Sequence, residues 1–331
     1  MPAARKRQPE HVGLFCVEED VIQRLRIGTR ASQLALTQSQ WVRDKVQALL
    51  PNTEVELVRI STKGDRILDV PLAKIGGKGL FVKEIEEALL AGEIDMAVHS
   101  MKDVPTVLPK GLHIGIVPQR EEARDAFVSN RYRNLAELPA GAVVGTSSLR
   151  RKAQLLALRP DLQIRDLRGN VGTRLDKLDR GDFDAIILAG AGLKRLHLPA
   201  RISTLLAPEQ MLPAIGQGAL GIELRQSDSM LLALMQPLHH LESAVAVAAE
   251  RAYLARLEGG CQVPIGAYAI LSENQLSLTG LIASVDGTTV LRQTRFAPLA
   301  EADKLGFELA EELLGRGGKA ILEAVYQASL S

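Results

Sequence analysis

The sequence predicts an α/β protein of two lobes around a hinged cleft, completed by a small C-terminal α+β domain. Three observations carry that prediction. From Val21 onward, short apolar runs of strand length alternate with amphipathic helical stretches. A buried-type run at 219–224 follows a complete second α/β unit, where it can return to the first sheet. After about Leu241 the alternation gives way to one long helix, hairpin-linked strands and two closing helices. A chain that crosses twice between lobes leaves a cleft of the kind in which ligands of open α/β sheets sit.

Taken in order, L-R-I-G-T-R (25–30) reads as a strand ending in a turn, and 33–50 as a helix stopped by Pro51. V-E-L-V-R-I (55–60) is the next strand, 80–90 carries apolar residues at helical spacing, and I-D-M-A-V (94–98) is a strand again. The second unit begins near Asp125, with strands at 126–128, 142–145, 162–165 and 185–189 and helices at 148–158 and 171–179. The last part holds a helix over 240–257, a turn at 272–274, a hairpin signal at Asp286 and Gly287, and helices over 301–314 and 319–328. The expected division is residues 1–20 as a disordered extension, 21–120 with 216–238 as the first lobe, 121–215 as the second, and 239–331 as the third domain.

A chain of 331 residues exceeds what one core organises. Its 40 basic and 39 acidic side chains leave a net charge of +1, which argues against a nucleic-acid or membrane-surface binder built on bulk charge. An aromatic content of 3% offers few platforms for stacking bases. No stretch is long enough to span a bilayer. Cys16 and Cys261 show neither disulfide nor metal-ligand spacing, so no metal and a reducing compartment are expected. The apolar run at 12–17 is too short for a secretory signal and meets Glu18, Glu19 and Asp20 at once, so the expected location is cytoplasmic.

Three segments carry chemistry. Cys261 lies in L-E-G-G-C-Q-V-P (257–264), where two glycines allow a tight turn and Pro264 stiffens the exit. Such a cysteine is either a small buried side chain or a thiol held out for use. The segment 146–201 is basic, with twelve Lys and Arg against six Asp and Glu. Within it, Arg150 and Arg151 follow G-T-S-S, Arg168 precedes Gly169, and Arg174 follows V-G-T. Thr146, Ser147 and Ser148 add hydroxyls and N–H groups at a helix N-terminus, and Arg30 likewise follows G-T before a helix. Guanidinium forks at such turns suit a ligand with several carboxylate arms, although arginines solvated on helix faces are the commoner case. Finally, V-H-S-M-K-D-V-P (98–105) leaves a buried strand and brings His99, Lys102 and Asp103 to its C-terminal end. Asp103 is the candidate for stabilising a cation or moving protons there; the bland alternative is an Asp–Lys pair that shapes the turn. K-I-G-G-K-G-L-F (74–81) lacks the order of a phosphate-binding loop and reads as a lid carrying Lys78.

These segments, with S-T-K-G-D (61–65), L-R-G-N-V-G-T-R (167–174), A-G-L-K-R (191–195) and G-Q-G-A (216–219), resemble the porphobilinogen deaminase (hydroxymethylbilane synthase) family from about Leu25 to the C-terminus. The resemblance implies two lobes like those of a periplasmic binding protein and a third domain holding a dipyrromethane cofactor, two linked pyrroles joined by a thioether to Cys261. It implies condensation of four porphobilinogen molecules onto that primer with loss of ammonia each time, then hydrolytic release of hydroxymethylbilane. Asp103 matches the family's catalytic aspartate. Arg30, Ser32, Lys102, Thr146, Ser148, Arg150, Arg151, Arg168, Arg174 and Arg195 match cofactor or substrate contacts, with Gln38, Lys78 and Ser147 beside them. A monomer is the family expectation. The alternatives are a two-lobed protein that binds a carboxylated small molecule without chemistry, and a nucleic-acid module built on the basic segment.

Overall fold

The computed structural model describes residues 22–66, 79–259 and 263–330. The expected N-terminal extension, the glycine-rich stretch through Lys78, and Cys261 lie outside them.

The first sheet has the order β2-β1-β3-β10-β4. Strand β1 (Arg24–Arg30) is parallel to β2 (Glu54–Ile60) and β3 (Met96–Ser100). Between β1 and β2 lies helix α1 (Gln33–Leu49), which starts where the Ser32 hydroxyl accepts the Ala35 N–H at 3.3 Å. A short helix α2 (Lys63–Arg66) follows β2, and α3 (Lys83–Leu90) buries Ile85, Ala88 and Leu89 against the sheet before β3. Strand β4 (Leu112–Ile116) forms one edge.

The chain then crosses to a second sheet, ordered β7-β6-β8-β5-β9. Its members are β5 (Asp125–Val128), β6 (Val143–Gly145), β7 (Gln163–Arg165), β8 (Ala185–Ala189) and β9 (Thr204–Leu205). Helices α4 (Leu149–Leu158), α5 (Val171–Asp179) and α6 (Gly190–Arg195) intervene. A second crossover, residues 206–219, brings the chain back as β10 (Leu220–Arg225). That strand inserts between β3 and β4, antiparallel to both. Each five-stranded sheet thus has four strands running one way and one reversed strand, β10 or β5, that arrives directly from the other lobe.

Helix α7 (Ser229–Met235) closes the first lobe. Helix α8 (Leu241–Arg256), the antiparallel sheet β11 (Ile265–Ser272), β12 (Gln275–Ala283), β13 (Val290–Pro298), and helices α9 (Ala302–Leu313) and α10 (Lys319–Leu330) form the last unit. Its core joins Tyr253, Leu276, Leu278, Leu309 and Leu313. Helices α8 and α9 approach so closely that a Cβ at Gly306 would lie 2.3 Å from the Ala249 carbonyl. The turn between β11 and β12 has Glu273 and Asn274 at positive φ, the geometry of a tight two-residue hairpin.

Candidate active site

Strand β3 runs into a single 3-10 turn, Met101–Asp103. The turn ends because Val104 precedes Pro105 and is held extended at ψ 124°. Asp103 is partly exposed on it, and no described residue donates a hydrogen bond to its carboxylate. Lys102 beside it is half-buried. Burial pushes its ammonium pKa down, Arg151 and Arg174 push the same way, and Asp103 and Asp125 oppose them. Arg151, Arg174 and Asp125 all belong to the second sheet's unit, so the turn after β3 faces the other lobe across the cleft.

On that far side, Arg174 Nε donates to the Gly169 carbonyl at 2.8 Å, and no acid pairs with it among the described residues. Burial lowers its pKa to about 10, with the charges of Arg151 and Arg168 adding to the effect. Arg195, at the end of α6, donates through Nη2 to the Gly218 carbonyl at 2.8 Å and is also brought by burial to about 10, against the pull of Glu121. The Ser147 hydroxyl both donates to the Leu167 carbonyl and accepts the Leu167 N–H at 3.0 Å. That pair of bonds fastens the loop of Arg168 and Gly169 to the start of α4. The Thr146 hydroxyl accepts the Ser148 N–H at 3.2 Å, while the Ser148 hydroxyl, at the N-cap of α4, makes no capping bond.

From the first lobe, Arg30 stacks its guanidinium 4.2 Å from the Phe81 ring centroid. Gln38 is buried and donates to the Ser100 hydroxyl at 3.0 Å, tying α1 to the end of β3. Ser32 serves as the cap of α1. The geometry therefore brings Lys102, Asp103, Arg151, Arg168 and Arg174 into one electrostatic group, while Ser32, Gln38 and Ser147 support the walls.

Arg150 and Arg151 have a partner that sequence reasoning missed. Asp125, wholly buried at the start of β5, accepts Arg150 Nη1 at 2.7 Å and Arg151 Nη2 and Nε at 2.7 and 3.0 Å. Burial alone would raise the Asp125 carboxyl; the two guanidiniums overcome it and hold the group well below the usual carboxylate range. Arg150 Nη1 and Arg151 Nη1 also donate to the carbonyls of Leu212 and Ile187. Each arginine thus has only part of its fork left for any further partner.

Also missed was Gln217, in the G-Q-G-A motif, whose Nε2 donates to Asp125 at 3.0 Å and to the Ala123 carbonyl at 2.6 Å. It links the returning crossover to the outgoing one. Glu250 of α8 accepts both Arg120 Nη groups, at 2.6 and 3.1 Å, and the Gly216 N–H at 2.7 Å, joining the third domain to both crossovers. The available signal was a lone polar side chain: an amide between two glycines at 217, an acid opening an apolar run at 125, and an acid in an alanine-rich helical stretch at 250. It gives the burial of such a residue but not its partners.

No group of three or more His, Cys, Asp or Glu suited to a metal lies among the described residues. No helix among them is long and apolar enough to cross a membrane.

Residues 25–233 match the family described as "Porphobilinogen deaminase, dipyromethane cofactor binding domain", and residues 244–315 match "Porphobilinogen deaminase, C-terminal domain". The sequence is 58% identical over 301 residues to the porphobilinogen deaminase of Syntrophotalea carbinolica, covering 91% of this chain and 96% of that protein. The chain belongs to the porphobilinogen deaminase family. Among solved structures, the methionine-binding protein MetQ is 15% identical with a TM-score of 0.42, covering 65% of this chain and 89% of that one. A periplasmic substrate-binding protein of an ABC transporter from Coxiella burnetii is 17% identical with a TM-score of 0.42, covering 69% and 96%.

The dipyrromethane cofactor of porphobilinogen deaminases meets a fitting donor set here. Arg174 and Arg195 are half-buried arginines, neither of them ion-paired to a described acid, and Arg174 has cationic neighbours. An anionic ligand relieves that concentration of charge, as pyrrole acetates and propionates do.

Proposed function

We propose that this chain is a transferase that condenses four porphobilinogen molecules head to tail on a dipyrromethane primer, releasing ammonia at each step and finally hydroxymethylbilane by hydrolysis. The observation that carries this reading is the Asp103 carboxylate, without a described donor, on a turn that faces cations of the opposite lobe. Joined by a thioether to Cys261, the cofactor supplies the nucleophilic pyrrole terminus to which substrate is added. In each cycle the substrate's aminomethyl carbon exchanges its C–N bond for a C–C bond.

The protein's part is to bind, orient and screen. Arg168, Arg174 and Arg195, with Arg30 and Lys102 from the first lobe, hold the carboxylate arms, while Arg150 and Arg151 offer the donors that Asp125 leaves them. The hydroxyls of Thr146 and Ser148 stand at the α4 N-terminus, where backbone N–H groups favour an anion. Lys78 is assigned to the substrate side by its place in the family motif. Asp103 accepts pyrrole N–H groups and stabilises the cation that forms as ammonia departs, in a cleft where screening by water is weak.

Sheet membership supports a division into a first lobe of 21–120 with 216–238, a second of 121–215 and a third domain of 239–331. We assign the protein to the cytoplasm as a monomer. The reading as a binding protein without chemistry is not favoured, because it leaves the third domain and the Asp103 turn without a role.

Intact mass tests the assignment. The purified protein is expected to exceed its sequence mass by two pyrrole units, and Cys261→Ala to show the bare mass. Asp103→Asn is expected to keep that excess and lose nearly all turnover. Full turnover in that variant removes Asp103 from the mechanism, and bare mass in the wild type removes the cofactor.

A further inference from the structure

One partly buried cation near the cleft has no acidic partner among the described residues and spends its fork on backbone carbonyls. Arg251 lies on α8, one residue beyond Glu250, and is only partly exposed. Its Nη1 donates to the Val104 carbonyl at 3.1 Å and its Nη2 to the Pro105 carbonyl at 2.7 Å. No acidic side chain pairs with it among the described residues, and burial alone lowers its pKa. Both forked donors are thus committed to the backbone immediately after Asp103.

The 3-10 turn bearing Asp103 is held weakly by its own bonds. Its closing contact, Val104 N–H to the Met101 carbonyl, is long at 3.3 Å, and Pro105 has no N–H to offer. Among the described residues Arg251 is the donor to both following carbonyls. The helix that supplies it is itself fixed, since Glu250 ties α8 to Arg120, to Gly216 and to the Ala269 N–H. The same helix ends at Arg256, five residues before Cys261.

We propose that Arg251 is a positioning residue for the condensation: it fastens the turn of Asp103, in the first lobe, to the helix that leads to the cofactor-bearing cysteine of the third domain. The catalytic carboxylate and the primer's anchor then share one rigid reference. This inference rests on the functional reading above. An arginine of the substrate-binding kind would act on KM; a positioning residue acts on kcat.

The test compares the wild-type holoenzyme with Arg251→Met and Arg251→Lys by intact mass, steady-state kinetics with porphobilinogen, and hydrogen–deuterium exchange. Arg251→Met is expected to carry the full cofactor mass. Its kcat should fall about 10- to 100-fold with KM changed less than about twofold, the loss expected for a reacting group misplaced by about an ångström. Exchange should quicken over residues 100–106 and stay unchanged in β11 and β12. Arg251→Lys, which keeps charge and stem but loses the fork, should fall between the two, and it takes over the test if Arg251→Met does not fold. Normal kcat, a rise in KM alone, or unchanged exchange over 100–106 overturns the proposal. Bare sequence mass in the wild type would instead overturn the functional reading beneath it.

Discussion

Asp125→Asn isolates the energetic worth of the centre of the second lobe. The substitution keeps the shape of the side chain and removes its charge. Asp125 is 0% exposed, and its two guanidinium partners are 4% and 7% exposed, so water cannot replace the lost counter-charge. Breaking one buried ion pair by removing a partner costs about 3–5 kcal/mol, and here one carboxylate serves two cations, so the upper end applies. For a protein of 331 residues that corresponds to a fall in melting temperature of roughly 7 °C. The sign with pH follows from the depressed carboxyl. The stabilisation is fully present above the unfolded-state pKa, whose ordinary value is 3.8, and is lost only as pH falls through the lower folded value. The deficit of the variant should therefore be the same at about pH 6 and pH 8, far from either titration. Thermal and urea unfolding followed by circular dichroism provide the measurement. A matched control is Asp161→Asn, whose solvent-screened pair with Arg159 should contribute little to stability. A loss at Asp125 no larger than that of the control refutes the reasoning.

Glu86 predicts the opposite dependence on pH. Burial, with the charge of Glu223, pushes its carboxyl up to about 7 despite His99, so its stabilising protonation is complete below 4.5 and lost as pH rises through 7. Glu86→Gln should match the wild type near pH 5 and exceed it by on the order of 2 kcal/mol near pH 8.5, read from urea midpoints; parallel pH curves for the two proteins contradict this. Gly218→Ala should destabilise by more than about 2 kcal/mol, because φ there is +86° and the added Cβ would meet the Glu121 carbonyl at 2.4 Å. Since Arg195 grips the Gly218 carbonyl, the surviving folded fraction should also show a raised KM; a wild-type melting temperature in this variant counts against the close approach.

Periodicity located most of the regular structure. The helix read over 171–179 and the strand over 185–189 are those observed, and the long helix before Cys261 was read one residue too long at each end. Strand β4 escaped notice because His113 and Gly115 interrupt the apolar run of an edge strand. Helix α7 is seven residues long, too short for helical spacing to stand out. At the site, residue type marked the cationic segments, since glycine and hydroxyl residues beside arginine signal a turn with donors. It could not say where each fork goes. That Arg150 and Arg151 share Asp125 depends on β5 lying beside β8 and on the position of α4, contacts separated by 25 or more residues in sequence. Ser147 and Gln38 were grouped with ligand contacts for the same reason, while their hydroxyl and amide reach Leu167 and Ser100.

The insertion of β10 between β3 and β4 reverses the order in which the halves can be completed during synthesis. The first sheet emerges from the ribosome early, yet it lacks a strand next to β3 until residue 220 has been made. The second sheet, drawn wholly from residues 125–205, can close before then. A nascent chain therefore carries an open β3 edge, exposed to unwanted pairing, across the whole translation of its neighbour. Substitutions in β10 should accordingly lower the yield of folded protein more than their effect on the finished molecule would suggest.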